Sequence, residues 1–272
     1  MLALLHGGAC ALHFVLFLVV VVWFSVNDTW DAGNVKLSRP SAKNYEDGDM
    51  AFYEPGVETS GTFPGVPLLA VICGVTFVAH AFYAYSSKGG VSSSMMGQWM
   101  KQKYNPARYL EYGVSASLMI LIIASLSGVR DFGALGMMFV ATAVTMLFGY
   151  LAEKTFARKT GSPWLAFGGG AALTLSVWCA IAYAFFSTTS EVDETPDWLP
   201  AIFWTQLICF TLFPVVSALY ATNKLSFERA EASYVGLSFT SKLVLAVILL
   251  FAFVSPSEDG STDATAQAGT MS

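Results

Sequence analysis

Long apolar segments recur along this chain, and short polar segments separate them. A membrane-spanning α-helix needs about 20 predominantly apolar residues. Seven segments meet that length: Leu2–Phe24, Pro67–Ser86, Pro106–Ser127, Phe132–Glu153, Pro163–Phe186, Trp198–Thr222 and Ala232–Val254. The pattern predicts an all-α membrane protein with one seven-helix domain over residues 1–255. Residues 256–272 are rich in Ser, Asp, Thr and Ala, which favours a disordered tail.

The first connection, residues 25–66, is far longer than the others. Strand-forming and turn-forming residues mix in Ala51–Pro55 and Gly61–Gly65, so we expect a short β-hairpin on the outer surface. Asn27 begins a glycosylation sequon, a weak three-residue signal that matters only in a host that glycosylates.

Composition agrees with a membrane protein, since the hydrophobic fraction is 55% and the charged fraction only 12%. The first span lacks a basic segment before it and a small-residue cleavage site, so it predicts a retained helix. All four cysteines fall within spans, which favours reduced packing roles over a disulfide framework. They are Cys10, Cys73, Cys179 and Cys209.

The connecting segments carry charge asymmetrically. If they are assigned alternately to the two membrane faces, one face collects most of the basic residues: Lys88, Lys101, Lys103, Lys154, Arg158, Lys159, Lys224 and Arg229. The other face holds most of the aspartates and glutamates. The positive-inside rule therefore predicts a cytoplasmic N-terminus and an extracellular C-terminus. The net charge of −5 speaks against nucleic-acid binding.

Lys242 is the most informative residue of the last span. It lies about 8 residues beyond Tyr234 and 12 before Val254, too deep for its own side chain to reach the surface easily. An intramembrane lysine is costly and indicates a functional site. Glu111 is the acidic residue that lies well inside another span, at a comparable depth. A buried amine beside a buried carboxylate predicts a charge pair at a site, with a structural ion pair as the alternative.

Further polar residues share this depth. Arg108, Glu111 and Ser115 share one helical face, and Ser238 lies one turn before Lys242. His6 and His80 lie near the same end of their own spans, which favours a hydrated polar cluster about as much as simple packing. His13 lies deeper and is interpreted as a packing residue. The histidine spacing does not favour a metal site.

Aromatic residues suggest room for a flat apolar ligand. Pro214 kinks the sixth span beside Phe210 and Phe213, while Trp178 and Met119 lie at middle depth in other spans. An aromatic stripe is usually only core. Together with seven spans and a buried lysine, however, it favours a ligand pocket.

Several strings resemble the heliorhodopsin family, a group of retinal-binding rhodopsins. They are Asn105–Ser117 (NPARYLEYGVSAS), Leu237–Lys242 (LSFTSK), His80 within Phe77–Phe82, His6, Phe148–Lys154 and Glu228–Ala230. The similarity extends over all seven spans but not over the long loop or the tail. The predicted inside N-terminus matches the inverted topology of that family, and the combination of motifs is specific.

The resemblance implies a rhodopsin-like bundle with all-trans retinal bound through a Schiff base to Lys242. It further implies Glu111 as counterion and Ser238 beside the linkage. The matching polar network is Thr76, His6, His80, Asn105, Arg108 and Tyr112. Ala116 departs from the serine-rich pattern that the family shows just after the counterion. The implied assembly is a homodimer in the lipid bilayer, with an unidentified cytoplasmic signalling partner.

Three function classes compete. A light sensor, in which isomerisation switches the polar network, is favoured because no second carboxylate follows Glu111 or Lys242 within its span. A light-driven or light-gated proton transporter is the alternative. The third class is a retinal-free channel, receptor or membrane enzyme. No nucleophile, metal or phosphate motif supports catalysis, so we expect no enzyme.

Overall fold

The computed structural model describes residues 2–26, 35–47, 50–86, 95–192 and 195–252. The helices in this part of the chain are α1 (Leu2–Val26), α2 (Gly65–Ser86), α3 (Met95–Gln102), α4 (Pro106–Leu126), α5 (Phe132–Arg158), α6 (Trp164–Ser190), α7 (Trp198–Ala221) and α8 (Phe227–Ala252). All except the short α3 are long and apolar enough to cross a membrane. The predicted seven-span bundle is therefore confirmed. The predicted tail and Asn27 lie outside the described residues.

Several helices extend beyond the predicted apolar segments. The last helix begins at Phe227 instead of Ala232, and the fifth ends at Arg158 instead of Glu153. Hydropathy detects only the part of a helix that lies among lipid tails, whereas a helix can continue into the polar interface. Lys242 consequently lies fifteen residues from the start of α8, although its depth in the apolar layer is still set by the apolar segment.

The long connection forms a two-stranded antiparallel sheet, as expected, although its strands are longer than a short hairpin. Strand β1 (Val35–Asp47) pairs with β2 (Met50–Phe63), with Val35 opposite Phe63. The base of the hairpin packs on the bundle, because Leu37 and Phe63 belong to the main apolar cluster. The Ser38 amide also donates to the Arg130 carbonyl, at 2.8 Å, in the turn between α4 and α5.

The helices pack side by side: α1 contacts both α2 and α8, α4 contacts α2 and α5, and α7 contacts α8. Large apolar residues such as Leu110 and Leu165 remain exposed, as expected where the surroundings are lipid. Close approach between α4 and α5 requires a glycine, since a Cβ on Gly149 would lie 2.8 Å from the Tyr109 ring. Asn105 caps the start of α4, because its side chain accepts a hydrogen bond from the backbone N–H of Arg108. Pro106 follows as the first residue of the helix.

Candidate functional site

Lys242 and Glu111 meet in the interior of the bundle. The Lys242 Nζ atom lies 3.1 Å from Glu111 Oε1, and the two residues are only 2% and 8% exposed. Removing both charges from water is costly, and a close pair with additional hydrogen bonds offsets that cost. The structure therefore brings together the amine of α8 and the carboxylate of α4.

Hydroxyl groups complete the surroundings of this pair. Lys242 Nζ donates to Ser238 Oγ at 2.7 Å, one turn earlier on α8. Ser115 and Thr76 both donate to Glu111 Oε1, at 2.9 and 3.1 Å. Three helices thus contribute to one polar centre, and the residues suggested by the sequence lie within it.

Tyr112 of α4 contacts both the buried amine and the backbone of α8. Its hydroxyl donates to the Tyr234 carbonyl at 2.9 Å, and Lys242 Nζ lies 5.5 Å from the centre of its ring. That distance is within the range of a cation–π contact. Tyr112 therefore contacts the buried amine through its ring and α8 through its hydroxyl.

The histidines form a stack beside the pair. The Nδ1 atoms of His6 and His80 are 3.2 Å apart, so one ring donates and the other accepts. His13 stacks on His80 with ring centres 4.9 Å apart. The sequence separated His13 from the other two because it lies deeper in α1; the structure joins it to them, since two turns of a helix span the width of this stack. All three rings are almost fully buried.

Arg108 binds two carboxylates that the sequence did not single out, because they lie at the ends of predicted spans. Glu153 of α5 and Glu231 of α8 each contact the Arg108 guanidinium and are only 4% and 1% exposed. Glu111 is consequently not alone as a buried carboxylate. The signal available in the sequence was Arg108 itself, because a buried guanidinium requires anionic partners at the same depth.

Neighbouring residues satisfy the other oxygens of these carboxylates. The Asn105 amide donates to Glu153 Oε1 and its side chain to Glu231 Oε2, both at 3.0 Å. Tyr109 donates to Glu153 Oε2 at 2.9 Å. The guanidinium also lies over the Tyr234 ring, 4.1 Å from its centre. We call Arg108, Glu153 and Glu231 the arginine clamp, since they connect α4, α5 and α8.

An apolar cavity extends from Lys242 between α4, α5, α6 and α7. It contains about 910 Å³ of space free of protein atoms, including its mouth. Of the residues suggested for a ligand pocket, Met119, Phe210, Phe213 and Pro214 line it. Trp178 does not; it lies behind Phe210, with ring centres 5.6 Å apart.

Sequence reasoning missed one wall of this cavity. Its other lining residues include Thr145, Met146, Phe167, Gly170 and Thr174, from α5 and α6. Small and weakly polar residues of this kind resemble ordinary helix packing. Gly170 illustrates this, since it packs closely against Phe148 of α5 and also faces the cavity.

Gln206 of α7 is a second residue without an obvious signal in the sequence. Its side chain is fully buried and donates from Nε2 to the Ser241 carbonyl, at 3.0 Å, immediately before Lys242. Its Oε1 atom has no hydrogen-bond partner among the described protein atoms. Gln206 therefore holds α7 against α8 beside the buried amine.

Comparison with known proteins gives a family and a fold. The family model described as Heliorhodopsin matches residues 5–254, and no curated protein matches the chain. Among solved structures, the transmembrane domain and linker region of Salpingoeca rosetta rhodopsin phosphodiesterase is 15% identical, with a TM-score of 0.65 over 92% of this chain and 70% of that one. The light-driven proton pump of Coccomyxa subellipsoidea is 14% identical, with a TM-score of 0.61 over 92% and 96%. Exiguobacterium sibiricum rhodopsin is 16% identical, with a TM-score of 0.57 over 92% and 97%. These identities support a shared fold only.

Proposed function

This chain belongs to the heliorhodopsin family, and we propose that it is a light-sensing photoreceptor whose retinal is attached to Lys242 through a Schiff base. Its family and its seven spans make it a retinal-binding integral membrane protein. The site assignment, the all-trans dark form and the sensory role belong to the proposal. The observation that carries the assignment is the position of Lys242, the one buried lysine among the described residues, at the wall of the apolar cavity.

The cavity fits such a ligand. Retinal, when bound, supplies absorption of visible light and a light-driven isomerisation. Lys242 provides a primary amine at the wall, and Met119, Phe210 and Phe213 provide apolar contacts for a flat polyene. Pro214, a proline within α7, also lines the cavity beside these rings.

The polar residues have distinct proposed tasks. Glu111 stabilises positive charge on the nitrogen of Lys242, since its Oε1 atom lies within hydrogen-bond distance. Ser115 and Thr76 fix the orientation of that carboxylate. When the charge on nitrogen moves or is lost, Glu111 loses its ionic partner, and this polar centre must rearrange. Such a rearrangement is the two-state switch of a sensor.

Orientation and assembly are also part of the proposal. The excess of lysine and arginine near one end of the bundle supports a cytoplasmic location for that end, which includes the N-terminus, and an extracellular C-terminus. A homodimer and a cytoplasmic signalling partner remain proposals that follow from the family.

The deciding experiment replaces Lys242 with alanine. Without its amine, Lys242→Ala should insert in the membrane and form no visible absorption band after all-trans retinal is added. Lys224→Ala is the matched control, since Lys224 is exposed in the turn before α8 and should leave the band unchanged. A normal coloured pigment from the Lys242 variant, with membrane insertion verified by fractionation, would contradict the assignment.

A further inference from the structure

A groove opens at the lysine-rich end of the bundle, away from the retinal cavity. Three turns meet there: the turn after α3, the turn after α5 and the turn between α7 and α8. The groove contains about 1380 Å³ of space free of protein atoms, including its open mouth. We call it the basic groove, and its main lining residues are Lys103, Phe156, Lys159, Tyr220, Leu225 and Phe227.

The backbone around the basic groove is unusual. Lys103, Lys159 and Asn223 are the non-glycine residues with positive φ among those that the structure describes, at 57°, 54° and 57°, and all three line the groove. This conformation is uncommon for residues with a side chain and ends a helix sharply. Tyr220 also donates to the Lys103 carbonyl at 2.8 Å, which ties the end of α7 to the turn after α3. The groove therefore has a fixed framework.

Charge and apolar surface occur together in this groove. Lys103 and Lys159 each follow a helix C-terminus. The partial negative charge of that terminus stabilises the neighbouring lysine. Lys224 and Arg229 add further positive charge next to the groove, while Glu228 is the acidic residue that lines it. Phe156, Tyr220 and Phe227 supply an apolar floor. An anionic partner with apolar side chains would complement both features.

One packed aromatic cluster connects the floor of the groove to the retinal site. Phe156, Tyr220 and Phe227 belong to the same packed cluster as Tyr112 and Tyr234. Tyr112 lies beside Lys242, and Tyr234 lies against Arg108. The ring centres of Phe156 and Tyr220 are 4.9 Å apart, and those of Tyr220 and Phe227 are 5.8 Å apart.

The arginine clamp lies directly above the groove walls. Glu153 precedes Phe156 by three residues on α5, and Glu231 follows Phe227 by four residues on α8. Each carboxylate and its neighbour in the groove are therefore one helical turn apart on the same face. The clamp therefore connects α5 and α8 one turn away from the residues that line the groove.

We propose that the basic groove is the docking site for an acidic peptide segment of a soluble signalling protein, with aliphatic or aromatic side chains that pack on the floor at Phe156 and Phe227. This inference rests on the proposed sensory function and its orientation. A peptide is favoured over a lipid headgroup for two reasons. First, the lining residues come from three different turns, so the groove lies across the end of the bundle. Second, a headgroup would make no contact with the apolar floor. Peptides that place an apolar face in a groove are a recurring recognition mode.

The test measures binding of a fluorescein-labelled acidic peptide of about twelve residues, alternating Glu pairs with Leu and Phe. The protein is the full chain with retinal in zwitterionic nanodiscs, and the readout is fluorescence anisotropy. Lys103→Glu/Lys159→Glu should weaken binding about tenfold or more. The matched control, Lys101→Glu/Lys154→Glu, makes the same charge change at the same end outside the groove and should change binding less than about threefold. Illumination should change the affinity of the parent protein.

Several results would overturn the inference. Equal loss of binding in both variant pairs would mean a diffuse electrostatic attraction. Retention of phosphatidylglycerol by the parent protein and not by the groove variant, without peptide binding, would make a lipid headgroup the occupant. Dissociation of a dimer by the groove substitutions would make the occupant a second copy of the chain.

The visible spectrum of each sample separates this inference from the proposed function. A normal, photoactive pigment that binds no peptide would refute the groove inference alone. Saturable, groove-dependent peptide binding by a protein that forms no pigment would support the groove and refute the retinal assignment.

Discussion

At the scale of single residues, the Glu111 carboxylate is the centre of the candidate site. Its Oε1 atom accepts from the Lys242 amine and from the hydroxyls of Ser115 and Thr76. Hydrogen bonds to an ionised acceptor are roughly twice as strong as neutral ones. The carboxylate therefore stabilises a positive charge on the neighbouring nitrogen and is itself held in one orientation.

Replacing Glu111 with glutamine removes this negative charge while preserving the shape of the side chain. We expect the visible band to shift to longer wavelength. In an alkaline titration, the variant should lose this band at a lower pH than the parent protein does. Each pH unit between the two midpoints corresponds to about 1.4 kcal/mol of lost stabilisation of the protonated nitrogen. Glu228→Gln, at an exposed residue of the same charge type, is the control. Identical titration curves for the parent and Glu111→Gln would show that Glu111 is not the counterion.

Gln206 gives a second prediction at this scale. Gln206→Leu loses one hydrogen bond to the Ser241 carbonyl but also removes the buried Oε1 atom that lacks a protein partner. Interhelical hydrogen bonds in membranes contribute about 0.6 kcal/mol on average, so the free energy of unfolding should fall by less than about 1 kcal/mol. Gln206→Glu places an unpaired carboxyl group in the same position and should cost more. Unfolding titrations in mixed micelles would measure both, and a larger loss in the leucine variant would contradict the expectation.

At the scale of helices, the arginine clamp connects three elements that are far apart in the sequence. Arg108 lies in the first turn of α4, Glu153 near the end of α5 and Glu231 in the second turn of α8. Asn105, which caps α4, donates to both carboxylates. The same residue thus sets the start of α4 and aligns it with two neighbouring helices.

Arg108→Ala should destabilise the protein, since it leaves two carboxylates buried without their cation. Removal of one partner from a buried ion pair costs about 3–5 kcal/mol. Adding Glu153→Gln and Glu231→Gln to this variant should recover much of the loss, because no buried charge then remains. The measurement is the temperature at which the pigment bleaches. Arg229→Ala is the exposed control and should cost less than about 1 kcal/mol. A triple variant no more stable than Arg108→Ala would exclude uncompensated charge as the cause.

At the scale of the whole molecule, the buried charged residues and histidines that the structure describes lie in one half of the bundle. The ion pair, the histidines and the arginine clamp lie from Lys242 toward the lysine-rich end. Beyond Lys242 on α8, Leu245, Ala246 and Leu249 are fully buried in the main apolar cluster. A proton pathway across the membrane needs polar groups or water on both sides of the site. The charged residues and histidines described above lie on only one side of it.

We therefore expect no sustained light-driven pH change in a suspension of cells that express the protein. His80→Ala should alter the late photocycle more than the absorption maximum, because His80 contacts His6 and His13 rather than Lys242 directly. The measurements are a pH electrode under continuous light and flash photolysis. A steady photocurrent that Glu111→Gln abolishes would favour the proton-transport alternative.

The sequence alone determined the spans and the identity of the central pair. Apolar runs of sufficient length must be helical in lipid, because every backbone amide and carbonyl needs an internal partner. Lys242 and Glu111 were recognisable because a charge far from either end of an apolar run has no path to water. The cap at Asn105 also follows from local sequence, since Asn followed by Pro is a signal that needs no tertiary contact.

The tertiary structure decided which face of each helix carries a function. Glu153 and Glu231 lie near span ends, where hydropathy cannot distinguish a buried charge from a solvated one, and only packing against Arg108 shows that they are buried. His13 joins His80, and the wall around Gly170 faces the cavity, for the same reason. Helices with such uniformly apolar surfaces show little amphipathic pattern, so the contacts between distant segments determine their inward faces.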